Sequence, residues 1–150
     1  MVNKNPTREE FKNIRLNYIV HVISRGHYKF INEMLKNCET TIGEYPILLL
    51  INKEKIITQS KISEELLVSN ANVAKIVRKL EDKGMVKREV NDKNRREKFV
   101  SLTEKGKKES QKIIGYEREW ETIVTAPLPD NSKFDLKNLL YDLYIRSLEI

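Results

Sequence analysis

The chain is poor in the residues that build covalent and metal centres. Its 150 residues include one cysteine, Cys38, which excludes an internal disulfide framework and any zinc or iron–sulfur site built from several thiolates. Its two histidines, His21 and His27, stand six positions apart. On a helix that is about 240° of rotation, so they do not face one ligand together. The longest uninterrupted apolar run, 47–51, has five residues, against about 20 needed to span a bilayer. The first ten residues are polar and hold no signal-peptide core. No membrane partner is expected, and the expected compartment is the cytoplasm. Five glycines and four prolines argue for a largely helical chain with few turns. No paired histidine and carboxylate, no Ser/His/Asp set on a structured turn and no glycine-rich phosphate loop is present. Catalysis, a cofactor and a metal are therefore not expected.

Charge and helical periodicity are plentiful. At 39% hydrophobic and 33% charged, the chain is too apolar to be disordered and long enough for one domain with a real core. Lys plus Arg is 28 and Asp plus Glu is 22, a net +6 that points to a polyanionic partner. Thr7 before Arg8-Glu9-Glu10 reads as an N-cap, and Phe11, Ile14, Tyr18 and Val22 follow at helical spacing. The pattern predicts one long helix to about residue 37, kinked at Gly26. A short buried helix starts at Tyr45, with Pro46 in its first turn. Thr58 caps a helix over 59–67, and Ser69 caps another over 70–83 with Val73, Ile76, Val77 and Leu80 inward and Gly84 as its stop.

After Gly84 the period changes from helical to alternating. Val86 and Val90 share one side of one run, and Val100 and Leu102 one side of a second, around a charged tip. Thr103-Glu104 opens a long helix with Ile113, Tyr116, Trp120 and Ile123 on one stripe, ended by Ala126-Pro127-Leu128-Pro129. Ser132 and Asp135 then resemble a capping box for a last helix carrying Leu136, Leu139, Leu140, Leu143, Tyr144 and Leu148. The fold class is thus mainly α with a small β-hairpin wing: a winged helix-turn-helix flanked by long amphipathic helices. A core this small cannot hide both terminal stripes, so they need each other or a second subunit.

The second helix of the pair turns Asn70, Asn72, Lys75, Arg78 and Lys79 outward, with Ala71 and Ala74 between them. An α-helix fits the major groove of duplex DNA, amides and cations suit base edges and phosphates, and small residues permit close approach. The competing reading of this face is ordinary solvation. Residues 83–98 hold seven cations and three anions, four of the six net positive charges of the chain. Lys93, Arg95, Arg96 and Lys98 make the hairpin tip a candidate for the backbone and minor groove. Thr58, Gln59 and Ser60 open the preceding helix, where hydroxyls and backbone N–H groups can hold a phosphate.

The stretch Ile57-Thr58-Gln59-Ser60-Lys61-Ile62-Ser63-Glu64-Glu65-Leu66, the run 69–80, Glu81-Asp82-Lys83-Gly84-Met85-Val86, and the run 91–102 closed by Thr103-Glu104-Lys105-Gly106 together resemble the MarR family of transcriptional regulators. The resemblance is close over about 43–108 and extends to the flanking helices in pattern and length. It implies a homodimer with interwoven terminal helices, two winged domains on one pseudo-palindromic operator in double-stranded DNA, and a small-molecule effector that lowers DNA affinity. On that basis 1–40 is an N-terminal dimerisation helix, 41–106 the winged helix-turn-helix, and 107–150 C-terminal dimerisation helices. Phe11, Ile14, Tyr18, Leu136, Leu139, Leu140 and Leu143 are then interface candidates.

The chain departs from the family pattern at two places. Asn94 stands where the wing Asp that orients an Arg is expected, while Arg96 keeps the Arg position and Arg95 lies beside it. Leu67 stands in the turn where Gly is common. For an effector pocket, the resemblance places anionic phenolic ligands between the dimer helices and the winged domain. Arg25 could then pair with a carboxylate, and His27, Tyr28, Tyr45 or Trp120 line the pocket. The bland alternative is that these residues make dimer and core contacts. Cys38 reads as a plain thiol at a helix end. The reading is a dimeric, sequence-specific DNA-binding regulator acting as a repressor. The alternative is a winged-helix protein-interaction module without specific DNA binding.

Overall fold

The computed structural model describes residues 5–94 and 97–150. The chain divides into two compact units, one ending at Ile114 and one starting at Gly115. The first unit opens with α1 (Arg8–Lys12), held by a capping box. The Glu10 N–H donates to Thr7 Oγ1 at 3.3 Å, and the Thr7 N–H donates to Glu10 Oε2 at 2.8 Å. The single kinked helix expected from the sequence is not what forms. The chain breaks at 13–15, where Arg15 is extended, and α2 (Leu16–Met34) then runs through Gly26 into a 3-10 turn at Leu35–Asn37. Asn13, a weak helix former, caps α1. Gly26 costs only about 1 kcal/mol relative to alanine inside a helix, and the amphipathic α2 absorbs it.

Helix α3 (Tyr45–Glu54) carries Pro46 in its first turn and buries Ile47, Leu48, Leu50 and Ile51. A three-residue strand, β1 (Ile56–Thr58), follows and was not expected from the sequence. Then come α4 (Gln59–Leu66), α5 (Asn70–Asp82), β2 (Val86–Val90) and β3 (Lys98–Leu102). The strands form an antiparallel sheet in the order β1-β3-β2, with Val100 opposite Ile57 on one side and Arg88 on the other. Helix α3 packs on α4, α5, β1 and β3, which closes the core over Ile31, Leu48, Ile62, Val73, Val77, Leu80, Met85 and Val100, all fully buried. Each such side chain contributes roughly 1.5–3 kcal/mol of transfer free energy. Val86 joins them, but Val90, expected on the same side, is 58% exposed. It pairs with Lys98 at the loop end of the hairpin, the far end from the Gly84 junction with α5.

The helix-to-hairpin junction explains why the sequence reads as it does there. Gly84, at φ +71°, ends α5. Its N–H donates to the Glu81 carbonyl at 2.8 Å and the Met85 N–H to the Leu80 carbonyl at 2.9 Å, a Schellman motif. Thr103 closes the far end of the hairpin onto this turn. Its N–H donates to the Met85 carbonyl at 3.0 Å and its hydroxyl to the Gly84 carbonyl at 2.6 Å. The same hydroxyl oxygen accepts from the Gly106 N–H at 3.1 Å, capping α6 (Glu104–Thr125). Leu67 ends α4 in the left-handed region, at φ 52° and ψ 41°, which is the geometry that makes glycine common at such a turn.

The 37–44 segment is tied down by charge. Glu44, 4% exposed, accepts from the Thr41 N–H at 2.9 Å and from Lys83 Nζ at 2.6 Å. Burial pushes its carboxyl up, but the Lys83 and Thr41 bonds outweigh that and hold it below the usual carboxylate range. Glu109 Oε1 accepts from the Glu39 and Thr40 N–H groups and the Thr40 hydroxyl, at 2.8, 3.1 and 3.0 Å.

Along α6, Ile113 is buried and Tyr116 and Trp120 half-buried, while Ile123 is exposed. In the second unit, α7 (Asp130–Leu148) starts directly after Pro129, so Ser132 lies in its first turn and the expected capping box does not form. Proline presets φ for a helix start, and Asp130 supplies the anionic side chain that the helix N-terminus favours. Leu136, Leu139, Leu140, Leu143, Tyr144 and Leu148 of α7 are exposed.

Candidate nucleic-acid interface

One face of the first unit collects most of the residues expected to meet DNA. Ser69 caps α5 by accepting from the Asn72 N–H at 3.3 Å, and Val73, Val77 and Leu80 anchor the inner side of the helix. That anchoring turns Asn70, Ala71, Asn72, Lys75, Arg78 and Lys79 outward, all exposed. Lys93 and Lys98 on the hairpin are also exposed. None of Lys75, Arg78, Lys79, Lys93 or Lys98 forms an ion pair with a carboxylate among the described residues. Other cations nearby are paired: Lys61 with Glu64 and Glu65 on α4, and Lys87 with Glu89 on the hairpin. Cations without carboxylate partners, sharing a face with exposed amides, suit a polyanion.

Two depressions shape this face. One is lined by Gln59, Ser60, Asn70, Arg88, Asn94, Glu97 and Lys98, so the starts of α4 and α5 and the hairpin meet around it. The other is lined by Ala74, Lys75, Arg78, Lys79, Asp82 and Arg88. Arg88 borders both and pairs with Glu81, fastening β2 to α5. That hydrogen bond holds the Glu81 carboxyl below its ordinary value. Arg88 escaped the sequence reading as a site residue, although it alternates with Val86 and Val90 and so shares their side of β2.

At the start of α4, Thr58 is the N-cap. Its Oγ1 accepts from the Lys61 N–H at 3.3 Å and lies 3.1 Å from the Ser60 hydroxyl. The Ser60 hydroxyl donates to Glu97 on the hairpin. The amide nitrogen of Gln59 is buried and has no hydrogen-bond partner among the described residues. The hairpin loop is shaped by asparagines. Asn91 Oδ1 accepts from the Lys93 N–H at 3.0 Å, and the Asn91 carbonyl from the Asn94 N–H at 3.0 Å. Arg95 and Arg96, expected at the tip, lie outside the described residues.

The residues expected to line an effector pocket stand apart from this face. Arg25 and Tyr28 are exposed and His27 half-buried on α2; Tyr45 is half-buried at the start of α3 and Trp120 half-buried on α6. Neither depression is lined by any of them. Cys38 follows the 3-10 turn and is half-buried. Burial pushes its thiol above the ordinary value, and the nearby Glu109 carboxylate adds to that. Among the described residues no group of His, Cys, Asp and Glu is placed to hold a metal ion, and no helix is long and apolar enough to cross a membrane.

Known proteins share this architecture. The MarR family model matches residues 40–98, which hold the helix pair and most of the hairpin. The HTH-type transcriptional regulator BilQ of Clostridioides difficile is 24% identical over 139 residues, covering 91% of this chain and 92% of that protein. A MarR transcriptional regulator from Methanosarcina mazei Go1 superposes with a TM-score of 0.83 at 26% identity, over 89% of this chain and 96% of that one. A MarR family transcriptional regulator from Listeria monocytogenes, solved in complex with a 26mer DNA, superposes with a TM-score of 0.79 at 20% identity, over 89% of each chain. The capped helix pair, the hairpin and the Thr103–Gly106 junction are all in place, and over residues 40–98 the chain matches the MarR family.

Proposed function

We infer that this protein is a DNA-binding transcriptional regulator whose α5 enters the major groove while the hairpin and the start of α4 engage the backbone. The observation that carries this reading is the set of cations at 75, 78, 79, 93 and 98, exposed beside Asn70 and Asn72 and unpaired with any described carboxylate. The likeness to a relative solved with a 26mer DNA and to BilQ, itself a transcriptional regulator, supports it. The competing reading, a protein-interaction module, has no observation of its own in its favour. Lys79→Ala should weaken binding about equally on all duplexes and reduce the salt slope by about 1, as loss of a phosphate contact does. Asn72→Ala should cost about 1–3 kcal/mol on the operator and much less on an unrelated duplex. Fluorescence anisotropy on both duplexes checks each, and affinities unchanged in both variants contradict the reading.

The active species in this reading is a cytoplasmic homodimer on a pseudo-palindromic operator, acting as a repressor. Its support is the apolar surface left open on the single chain. Phe11, Leu16, Tyr18, Val20 and Ile23 on α1 and α2, and Leu136, Leu139, Leu140 and Leu143 on α7, are all exposed. Monomeric proteins rarely leave apolar stripes of this extent in water. A small aromatic or anionic effector completes the reading, with Arg25, His27, Tyr28, Tyr45 and Trp120 as the side chains suited to it. Titrating phenolic acids into the protein–operator complex tests that part: release supports it, and unaltered anisotropy across the series contradicts it.

A further inference from the structure

We propose that Glu97 is a built-in phosphate surrogate that holds the start of α4 closed and sets the DNA affinity. The inference rests on the DNA-binding reading above and deepens it. The hydroxyl of Ser60, in the first turn of α4, donates to the Glu97 carboxylate. Helix N-termini with hydroxyl side chains are natural seats for a phosphate oxygen. Here a carboxylate from the same chain takes that hydrogen bond, in a depression also lined by Arg88 and Lys98 and facing the polyanion-binding side of the molecule. The Gln59 amide nitrogen, buried at the same place with no partner among the described residues, offers a second donor that Glu97 leaves unused. A DNA phosphate reaching this seat must displace Glu97 and meets its negative charge while doing so. Glu97 thus lowers affinity for all duplexes alike, and it ties the hairpin to α4 whenever DNA is absent.

The test is a cycle of variants on the full chain. Because a phosphate contact is independent of sequence, any 30-base-pair duplex at about 50 mM salt serves as the probe. Glu97→Gln keeps the side-chain shape and removes the charge. It should bind about 5- to 20-fold tighter, with a salt slope steeper by about 1. Glu89→Gln is the control, an exposed carboxylate on the same hairpin that pairs with Lys87 and not with α4. It should give a smaller gain. In a Ser60→Ala background the extra gain of Glu97→Gln over Glu89→Gln should vanish, since the hydroxyl that both anions compete for is gone. Thermal melts confirm that all variants are folded. Glu97→Gln binding no tighter than Glu89→Gln, or gains that add independently of Ser60, overturn the proposal. A wild-type chain that binds no duplex at all overturns the regulator reading itself, and this inference with it.

Discussion

Gly106 shows how one residue can be dictated by a neighbour far away in the chain. A Cβ placed there would lie 2.0 Å from the Met85 carbonyl oxygen, a backbone atom that itself accepts from Thr103. Gly106→Ala should therefore cost about 3 kcal/mol, through overpacking against main chain that cannot rotate away. A urea melt checks it, and a midpoint within error of wild type contradicts it. Leu67 is the opposite case. It sits at φ 52° and is 93% exposed, so its side chain gains no packing for the strain of the left-handed region. Leu67→Gly should stabilise the protein by about 0.5–1 kcal/mol, the relief of strain exceeding the extra freedom of glycine in the unfolded chain. A lower unfolding midpoint would refute that. At Cys38 the raised thiol pKa keeps the neutral form at neutral pH, so reaction with a disulfide reagent should be slower than for a free thiol and accelerate with pH above the ordinary thiol range.

Among the elements, the ion pair between Lys83 and Glu44 links the end of α5 to the start of α3. Lys83→Met should destabilise the protein by about 2–3 kcal/mol, because a buried carboxylate loses its cation. Glu44 also sets a pH response. Its folded pKa lies below its unfolded one, so its contribution is present at neutral pH and is lost as pH falls through the folded value. Stability should decline below about pH 4, and Glu44→Gln should flatten that decline. The helix pair, the hairpin and both caps at Thr58 and Ser69 were legible because local rules decide them: spacing of apolar residues, hydroxyl caps and the Gly84 stop. Three features were not. Strand β1 is only three residues long and forms because β3 offers it a partner. The break at 13–15 follows from a weak helix former, Asn13, where periodicity alone runs on unbroken. The Ser60–Glu97 bond joins positions 37 apart, and no local pattern encodes it.

For the whole molecule, the proposed homodimer rests on the exposed apolar faces of α1, α2 and α7. Leu139 is 66% exposed in the single chain. Leu139→Asp should leave the first unit folded, yield a monomer by analytical ultracentrifugation and lose operator affinity together with the dimer. A dimer of wild-type strength would remove α7 from the interface. The central claim is specific DNA binding, and fluorescence anisotropy of the wild-type chain tests it most directly. The duplex upstream of its own gene and a scrambled duplex of equal length are titrated at two salt concentrations. The account predicts nanomolar binding to the first, at least about 10³-fold tighter than to the second, weakening steeply with salt on both. No binding to either duplex at low salt would contradict it.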